Sequence, residues 1–466
     1  MVRSDWSSDV CSSDLKKEEV ERAISLLEKA VARDPERVDP HILLGSLYSN
    51  LKRYEDAIRE YESVITLDPD KREAYLFLNL LYRENQEFEK SVKILEDLLA
   101  IDPSNLMGRY YLAKTYAVME QYDKYEIWLR KALDIKPNFR PALVDLGTLY
   151  RSQAKSEKAV AIYEDFLRTD PADVQIRFEL GNTLMKSEKY AAAAEEFEKI
   201  LQWDNSLTEA KFSLGLAYFL GHEQYDEAIA AFLDLLRIQP DNEKAIYFLA
   251  SAYEKKGQYG DALKELESIS EGSELYIASR VKMGFILQSD GRTQEAIELI
   301  KGEIEKTDTE IELHRFLAAL YEEEEMFEEA EHILTKGLAV SPRNVDLHYR
   351  LGVIYGKENK HEKSIEVMKA LLEIDPDNAD ALNFIGYSYA ERGVNLDEAE
   401  TLIKKALRFK PDNGYIMDSM GWVYFRQNRL GEAIDCLRKA VDLLPQDPTI
   451  AGHLGDAYKK IGRAHV

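Results

Sequence analysis

Side chains able to do chemistry are plentiful in this 466-residue chain, but their spacing does not gather them. The histidines His41, His222, His314, His332, His348, His361 and His453 are scattered, whereas a metal site needs convergent ligands and a shell that orients them. His314 and His348 stand 34 residues apart in equivalent surroundings. The fit of an imidazole on the buried side of a helix explains both without a metal. There is no G-x-x-x-x-G-K-[ST], no G-x-G-x-x-G after a strand, no H-E-x-x-H and no G-x-S-x-G. With 86 acidic residues, any carboxylate pair offered as acid and base would be arbitrary. The run "YEEEEMFEEAEH" (321–332) falls on a turn and its flanks, where a solvated charged surface is expected. The sequence therefore predicts no catalytic residue, no metal ligand and no cofactor.

Cysteine offers only Cys436 and Cys11, and Cys11 lies in "WSSDVCSSDL" (6–15), which fits nothing that follows it. If the final "IGRAHV" were encoded ATC-GGA-AGA-GCA-CAC-GTC, the reverse complement would translate as Asp-Val-Cys-Ser-Ser-Asp, residues 9 to 14. Both ends then come from the two strands of one oligonucleotide resembling a common sequencing adapter. Residues 1–15 and 461–466 are accordingly expected to be translated adapter, not native, and are set aside. Residues 16–460 remain, with one cysteine, so no internal disulfide and no thiolate metal site is expected. The net charge of −25 argues against sequence-independent binding to nucleic acid or to an anionic bilayer. No apolar run has the length of a membrane-spanning helix, so no direct membrane insertion is expected.

The elements that would position any site are set by a period. Pro35, Pro69, Pro103, Pro137 and Pro171 recur every 34 residues, and Pro240, Pro342, Pro376, Pro411 and Pro445 continue the lattice with single-residue shifts. Tyrosines keep the same step (Tyr48, Tyr82, Tyr116, Tyr150, Tyr355), as do glycines (Gly45, Gly147, Gly181, Gly215, Gly352) and alanines (Ala23, Ala57, Ala159, Ala193). Within residues 38–71, His41, Leu44 and Tyr48, then Ala57, Tyr61 and Val64, follow the spacing of two amphipathic helices joined at "NLKRYED". Small residues such as Gly45 and Ala57 let the two helices approach closely. Each "DPD" or "KPN" supplies a stop, since proline cannot continue a helix and a nearby Asp or Asn can cap the next one. Asn205, Glu274 and Thr309 stand where the lattice expects proline. Extra residues widen the turns at "GHEQY" (221–225) and "RGVNL" (392–396).

This pattern resembles the tetratricopeptide repeat family. The resemblance implies an all-α fold, a right-handed superhelical α-solenoid of tetratricopeptide helix–turn–helix repeats. Residues 16–460 divide into a half repeat, twelve full repeats of 34 or 35 residues and a final half repeat. Each repeat would bury its faces only against its neighbours. In that family the first helix of each repeat lines a concave groove, with places two, five, six, nine, twelve and thirteen facing it. Carried onto this chain, those places hold Tyr110, Phe178, Phe212, Phe219, Tyr247, Phe285, Tyr349, Tyr387, Tyr415, Trp422 and Phe425. Polar groups are interleaved: Lys114, Asn182, Arg315, Arg350, Asn383 and Arg426. Aromatic rings and Arg are frequent anchors of protein interfaces. The carboxylate clamp of the family's chaperone-cofactor members is incomplete, because Phe178 stands where its first Lys belongs, Ser213 replaces an Asn and Phe248 an Arg.

The resemblance thus implies a non-enzymatic scaffold or adaptor for a peptide or protein, its oligomeric state unspecified. The alternative is a regulatory arm of a larger enzyme, such as a glycosyltransferase or signalling kinase. Residues 381–407 and 412–441, with "RGVNL" and "MDSMGWVYF", are similar to the C-terminal repeats of bacterial envelope tetratricopeptide proteins. That similarity favours a periplasmic or outer-membrane-anchored location over a cytoplasmic one.

Overall fold

The computed structural model describes residues 17–221 and 224–464. Among the described residues it contains 26 helices and no strand. They fall into two compact units with the boundary between Gln239 and Pro240. The segments expected to be adapter lie outside the described residues, except 461–464, whose backbone continues the last helix.

The first unit opens with α1 (Lys17–Arg33). Six hairpins follow: α2 (Val38–Asn50) with α3 (Tyr54–Leu67), α4 (Arg72–Glu84) with α5 (Phe88–Ile101), and α6 (Leu106–Val118) with α7 (Tyr122–Ile135). Then come α8 (Arg140–Ser152) with α9 (Ser156–Thr169), α10 (Val174–Lys186) with α11 (Tyr190–Trp203), and α12 (Thr208–Leu220) with α13 (Tyr225–Leu236). The second unit also holds six. They are α14 (Glu243–Lys255) with α15 (Tyr259–Glu267), α16 (Tyr276–Ser289) with α17 (Thr293–Lys306), and α18 (Ile311–Glu323) with α19 (Phe327–Val340). After them stand α20 (Val345–Lys357) with α21 (His361–Ile374), α22 (Ala379–Arg392) with α23 (Leu396–Phe409), and α24 (Gly414–Arg426) with α25 (Leu430–Leu443). Helix α26 (Pro448–Ala464) closes the unit. The hairpins fall where the period predicts them.

The lattice residues have distinct mechanical tasks. At Gly45 the space of an absent Cβ is taken by the Tyr61 ring, whose Cε2 lies 2.7 Å from where that atom would be. Gly181 seats Phe197 and Gly215 seats Phe232 in the same way, so each glycine admits one large ring from its own second helix. The lattice tyrosine closes the turn. The carbonyl of Tyr48 accepts the Arg53 N–H at 2.8 Å while Lys52 takes a left-handed conformation, φ 58°, completing a Schellman cap. Asn105 and Asn344 cap the helices that follow them, their side-chain oxygens accepting N–H bonds from Gly108 at 2.8 Å and Leu347 at 3.0 Å.

Two of the three joints lacking proline are ordinary. Helix α11 stops before Asp204, whose carboxylate accepts the Ser206 N–H at 2.9 Å, and α17 stops before Thr307 without a changed spacing. The third differs: α15 ends at Glu267 and α16 begins at Tyr276, with Ser270 and Ser273 bonded to Glu243. Buried Arg280 donates from Nη2 to the Leu266 carbonyl at 2.6 Å, joining the Ile269 N–H that the same oxygen accepts at 3.3 Å.

Tyrosine hydroxyls tie several first helices to the helix before their hairpin. Tyr48 donates to Glu28 at 2.8 Å, Tyr82 to Glu62 at 2.6 Å, Tyr150 to Glu126 at 2.6 Å and Tyr355 to Glu331 at 2.8 Å. Burial first, then the neighbouring carboxylate, pushes the phenols of Tyr48, Tyr150 and Tyr355 up to about 12. A phenol whose pKa is raised on folding stabilises fully below its unfolded value, about 10, and loses that contribution as pH climbs through the folded value. Helix loss is therefore expected as pH rises from about 10 toward 12, together with a late fraction of the phenolate absorbance. Phenolate formation at these tyrosines in a chain that keeps its helicity would contradict the ties.

Candidate functional site

First helices of neighbouring repeats pack directly on one another as well as on their second helices: α4 on α6, α8 on α10, α16 on α18, α22 on α24 and α24 on α26. The groove residues named from the sequence all lie on first helices.

In the first unit Tyr110 and Lys114, four residues apart on α6, converge on Asp145 of α8. The phenol donates at 3.0 Å and the ammonium at 3.0 Å, both to Oδ2. Burial and the Asp145 charge raise the Tyr110 pKa, so the hydroxyl stays a donor. Phe139 meets Tyr110 edge-on at 5.2 Å. Phe178 and Phe212 are half-buried against Phe197 and Phe232, at 5.6 and 6.0 Å, and so belong partly to their own hairpins. Phe219 packs on Tyr225 at 6.0 Å, and Asn182 is half-buried.

In the second unit Tyr247 of α14 and Phe285 of α16 line one depression of about 530 Å³. Ile277, Ala278 and Val281 complete its apolar wall, and Glu254, Lys282 and Glu312 its rim. Phe285 is 49% exposed while packing on Phe316 at 4.3 Å, so one ring face is held and the other is open. Lys282 is paired with Glu254 at 2.5 Å and lies 5.5 Å from the Tyr247 ring centre.

The remaining named residues do not join this depression. Arg315 pairs with Glu312 and Arg350 with Asp346, each along its own helix. Tyr349 meets Phe384 edge-on at 6.5 Å. Tyr387 donates to Glu391 at 3.3 Å, and the Asn383 Oδ1 is buried without a hydrogen-bond partner. Tyr415 is 58% exposed, and Arg426 is exposed with its guanidinium beside Gly393.

Trp422 is placed differently from its sequence assignment. It is 8% exposed, stacked between Phe425 at 4.7 Å and His453 of α26 at 4.2 Å, so its ring is engaged inside the protein. Phe425 is half-buried, with the Lys460 ammonium 4.4 Å from its ring centre. His453 Nδ1 lies 3.0 and 2.9 Å from the two Asp418 oxygens. Burial works against the imidazolium, but the Asp418 carboxylate outweighs it, and the His453 pKa is raised. His314 is fully buried, its Nδ1 3.1 Å from the Glu310 carbonyl oxygen, as expected of a core histidine. Among the described residues no group of three potential metal ligands converges.

Asp145, Lys282, Glu254, Asp418 and Arg83 were not singled out by the sequence pattern. Arg83 occupies the twelfth place of its repeat, one of the positions assigned to the groove, so the register could have identified it.

Family models agree with this architecture. One described as a tetratricopeptide repeat matches residues 14–81, 219–272 and 321–386, a second so described matches 144–206, and a model described as a TPR repeat matches 421–462. The chain belongs to the tetratricopeptide repeat family.

Curated relatives include a TPR repeat-containing protein of Pseudomonas aeruginosa, 26% identical over 46% of this chain and 36% of its own length. The human protein O-mannosyl-transferase TMTC3 is 35% identical over 22% of this chain and 12% of its own length. The TPR repeat-containing protein YpiA of Bacillus subtilis is 28% identical over 38% of this chain and 43% of its own. The chain thus spans less than half of each of these relatives. Among solved structures, yeast Tom70 is similar with a TM-score of 0.42 and 16% identity, covering 96% of this tetratricopeptide chain and 97% of that one. Cut9 in its complex with Hcn1 gives 0.38 and 14%, with 94% of both chains covered. Among the described residues no helix is long and apolar enough to cross a membrane.

Proposed function

We propose that this tetratricopeptide array is a non-enzymatic scaffold that holds a polypeptide partner along the face made by its first helices. The depression at Tyr247 and Phe285 carries the reading: about 530 Å³ of concavity, an aromatic ring half open, apolar walls and charged groups only at the rim. A partner's apolar side chain entering there would cover the free face of Phe285 and leave Lys282 and Glu254 paired. Interfaces gather much of their energy at such aromatic seats, surrounded by groups that exclude water.

The test places a photo-crosslinking residue at Ser289, on the wall of the depression, and at exposed Glu267 as a control. A partner captured at Ser289 and not at Glu267 should bind about tenfold to a hundredfold more weakly to Phe285→Ala, the usual loss at an aromatic anchor. The variant's thermal melt reports on folding. Equal capture at both positions, or undiminished affinity of a folded Phe285→Ala, would remove the depression from the binding face.

A second reading has one observation in its favour, the similarity to the human mannosyl-transferase. In that reading the array is the regulatory arm of a larger enzyme. A catalytic domain encoded beside the repeats in the source gene would support it; a gene encoding repeats alone would reject it.

A further inference from the structure

The repeats provide an internal comparison at the twelfth place of the first helix. In the α8 repeat that place is Arg151, and its Nη1 donates at 2.8 Å to Glu179, 28 residues further on, at the sixth place of α10. In the α14 repeat the charges are reversed in the same register: Glu254 meets Lys282 at 2.5 Å, again 28 residues apart. In the α4 repeat the twelfth place is Arg83, but the residue 28 positions on is Tyr111. The carboxylate that Glu179 gives Arg151 has no counterpart at this place opposite Arg83.

The surroundings of Arg83 agree with this. It is half-buried, and its Nε is buried without a hydrogen-bond partner. No described carboxylate pairs with it; Glu84 acts on it only electrostatically, from the next position of the same helix. Burial lowers its pKa, a shift that a facing carboxylate would oppose. Arg151 shows what a guanidinium held in this place accepts, since a planar fork of N–H donors matches a carboxylate well. The half-buried rings of Tyr110 and Tyr111 of α6 stand near enough to act on its charge.

We infer that Arg83 is a binding residue for a polypeptide partner, taking a glutamate or aspartate side chain that fills the place Glu179 holds beside Arg151. A side chain is favoured over a chain terminus for two reasons. Helix α6, the first helix of the next repeat, packs on α4, so a partner strand can continue past the guanidinium, and the template itself is a side-chain carboxylate. The inference rests on the first-helix face being the binding face. It lies in the other compact unit from Phe285, so the two ideas fail separately: loss of the Phe285 effect leaves the Arg83 response intact, and the reverse.

The test uses the whole chain with nitrogen-15 in its arginine side chains, the Arg83 Nε–H resonance being assigned by Arg83→Gln. N-acetyl-glutamate N-methylamide titrated through the millimolar range should shift that resonance, and the isosteric glutamine compound should respond about tenfold more weakly or not at all. Tyr111→Glu should supply the missing carboxylate from within and abolish the response. Thermal melting separates ligand-binding from structural roles. Arg151→Met, which strands Glu179, should lower Tm, whereas Arg83→Met should leave it unchanged or raise it. No shift with the glutamate compound, an equal shift with the glutamine compound, an undiminished response in Tyr111→Glu, or a Tm drop in Arg83→Met matching that of Arg151→Met would overturn the inference. A stronger response to N-acetyl-phenylalanine, whose only carboxylate is terminal, would overturn the choice of a side chain.

Discussion

Phe197→Ala is expected to destabilise the first unit by about 3–5 kcal/mol, the cost of removing a fully enclosed aromatic ring. Phe197 has 0% exposure, and its Cε1 lies 2.6 Å from the point where a Gly181 Cβ would stand. The ring therefore rests on the backbone of α10, with Phe178 edge-on to it. Neither α10 nor α11 can move in to fill the gap without losing its packing on the adjacent hairpins. The converse change, Gly181→Ala, puts a methyl group into the ring and should cost about 1–3 kcal/mol by overpacking. The two sites share one volume, so their effects should not add. In the pair Gly181→Ala with Phe197→Leu, the methyl occupies part of the space that the smaller side chain vacates. Denaturant unfolding of both single variants and the double variant closes the cycle. A double-variant cost equal to the sum of the single costs within about 0.5 kcal/mol would show that ring and glycine are not one seat.

Trp422→Ala should cost a comparable ~3–5 kcal/mol, but locally. The indole is the surface on which α26 rests: His453 stacks on it at 4.2 Å, 21° from parallel, while reaching Asp418 of α24. Helix α26 packs on α24 and α25 and has no second helix of its own among the described residues. In a stack whose elements touch only their neighbours, a lost seat at one end frees the terminal element first. Amide exchange should show protection falling along α26, while α16 to α22 keep theirs. Unchanged protection of α26 would mean that the Asp418–His453 pair and the other contacts of α24 and α25 hold it without the indole. The same geometry explains why Trp422 is poorly placed to greet a partner, whereas Phe285, also at a ninth place, is half exposed. Phe285 meets Phe316 on one side and a depression on the other, whereas Trp422 is enclosed between Phe425 and His453.

Much of the fold was legible because its determinants are local and repeated. A proline ends a helix wherever it stands, and a glycine in step with a ring or large apolar side chain sixteen or seventeen residues later marks a close crossing. Twelve repetitions make such signals hard to misread. The proposed binding face was legible only as a register. Tyr247 and Phe285 hold the same kind of position as Phe178 and Phe212, yet the first pair lines an open depression and the second rests largely on its own hairpin.

By itself, then, the sequence determined the all-helical class, the helical hairpins, most of their stops and their glycine seats. Backbone stops and close crossings depend on residues within one repeat, so reading along the chain suffices for them. Only the tertiary structure decided which of those positions are open, which ion pairs are closed and which are left incomplete. Arg83 and Arg151 occupy the same place, and what separates them is the residue that the first helix of the next repeat supplies, Tyr111 or Glu179. Exposure and charge compensation are properties of neighbouring helices packed together, and no single helix carries them.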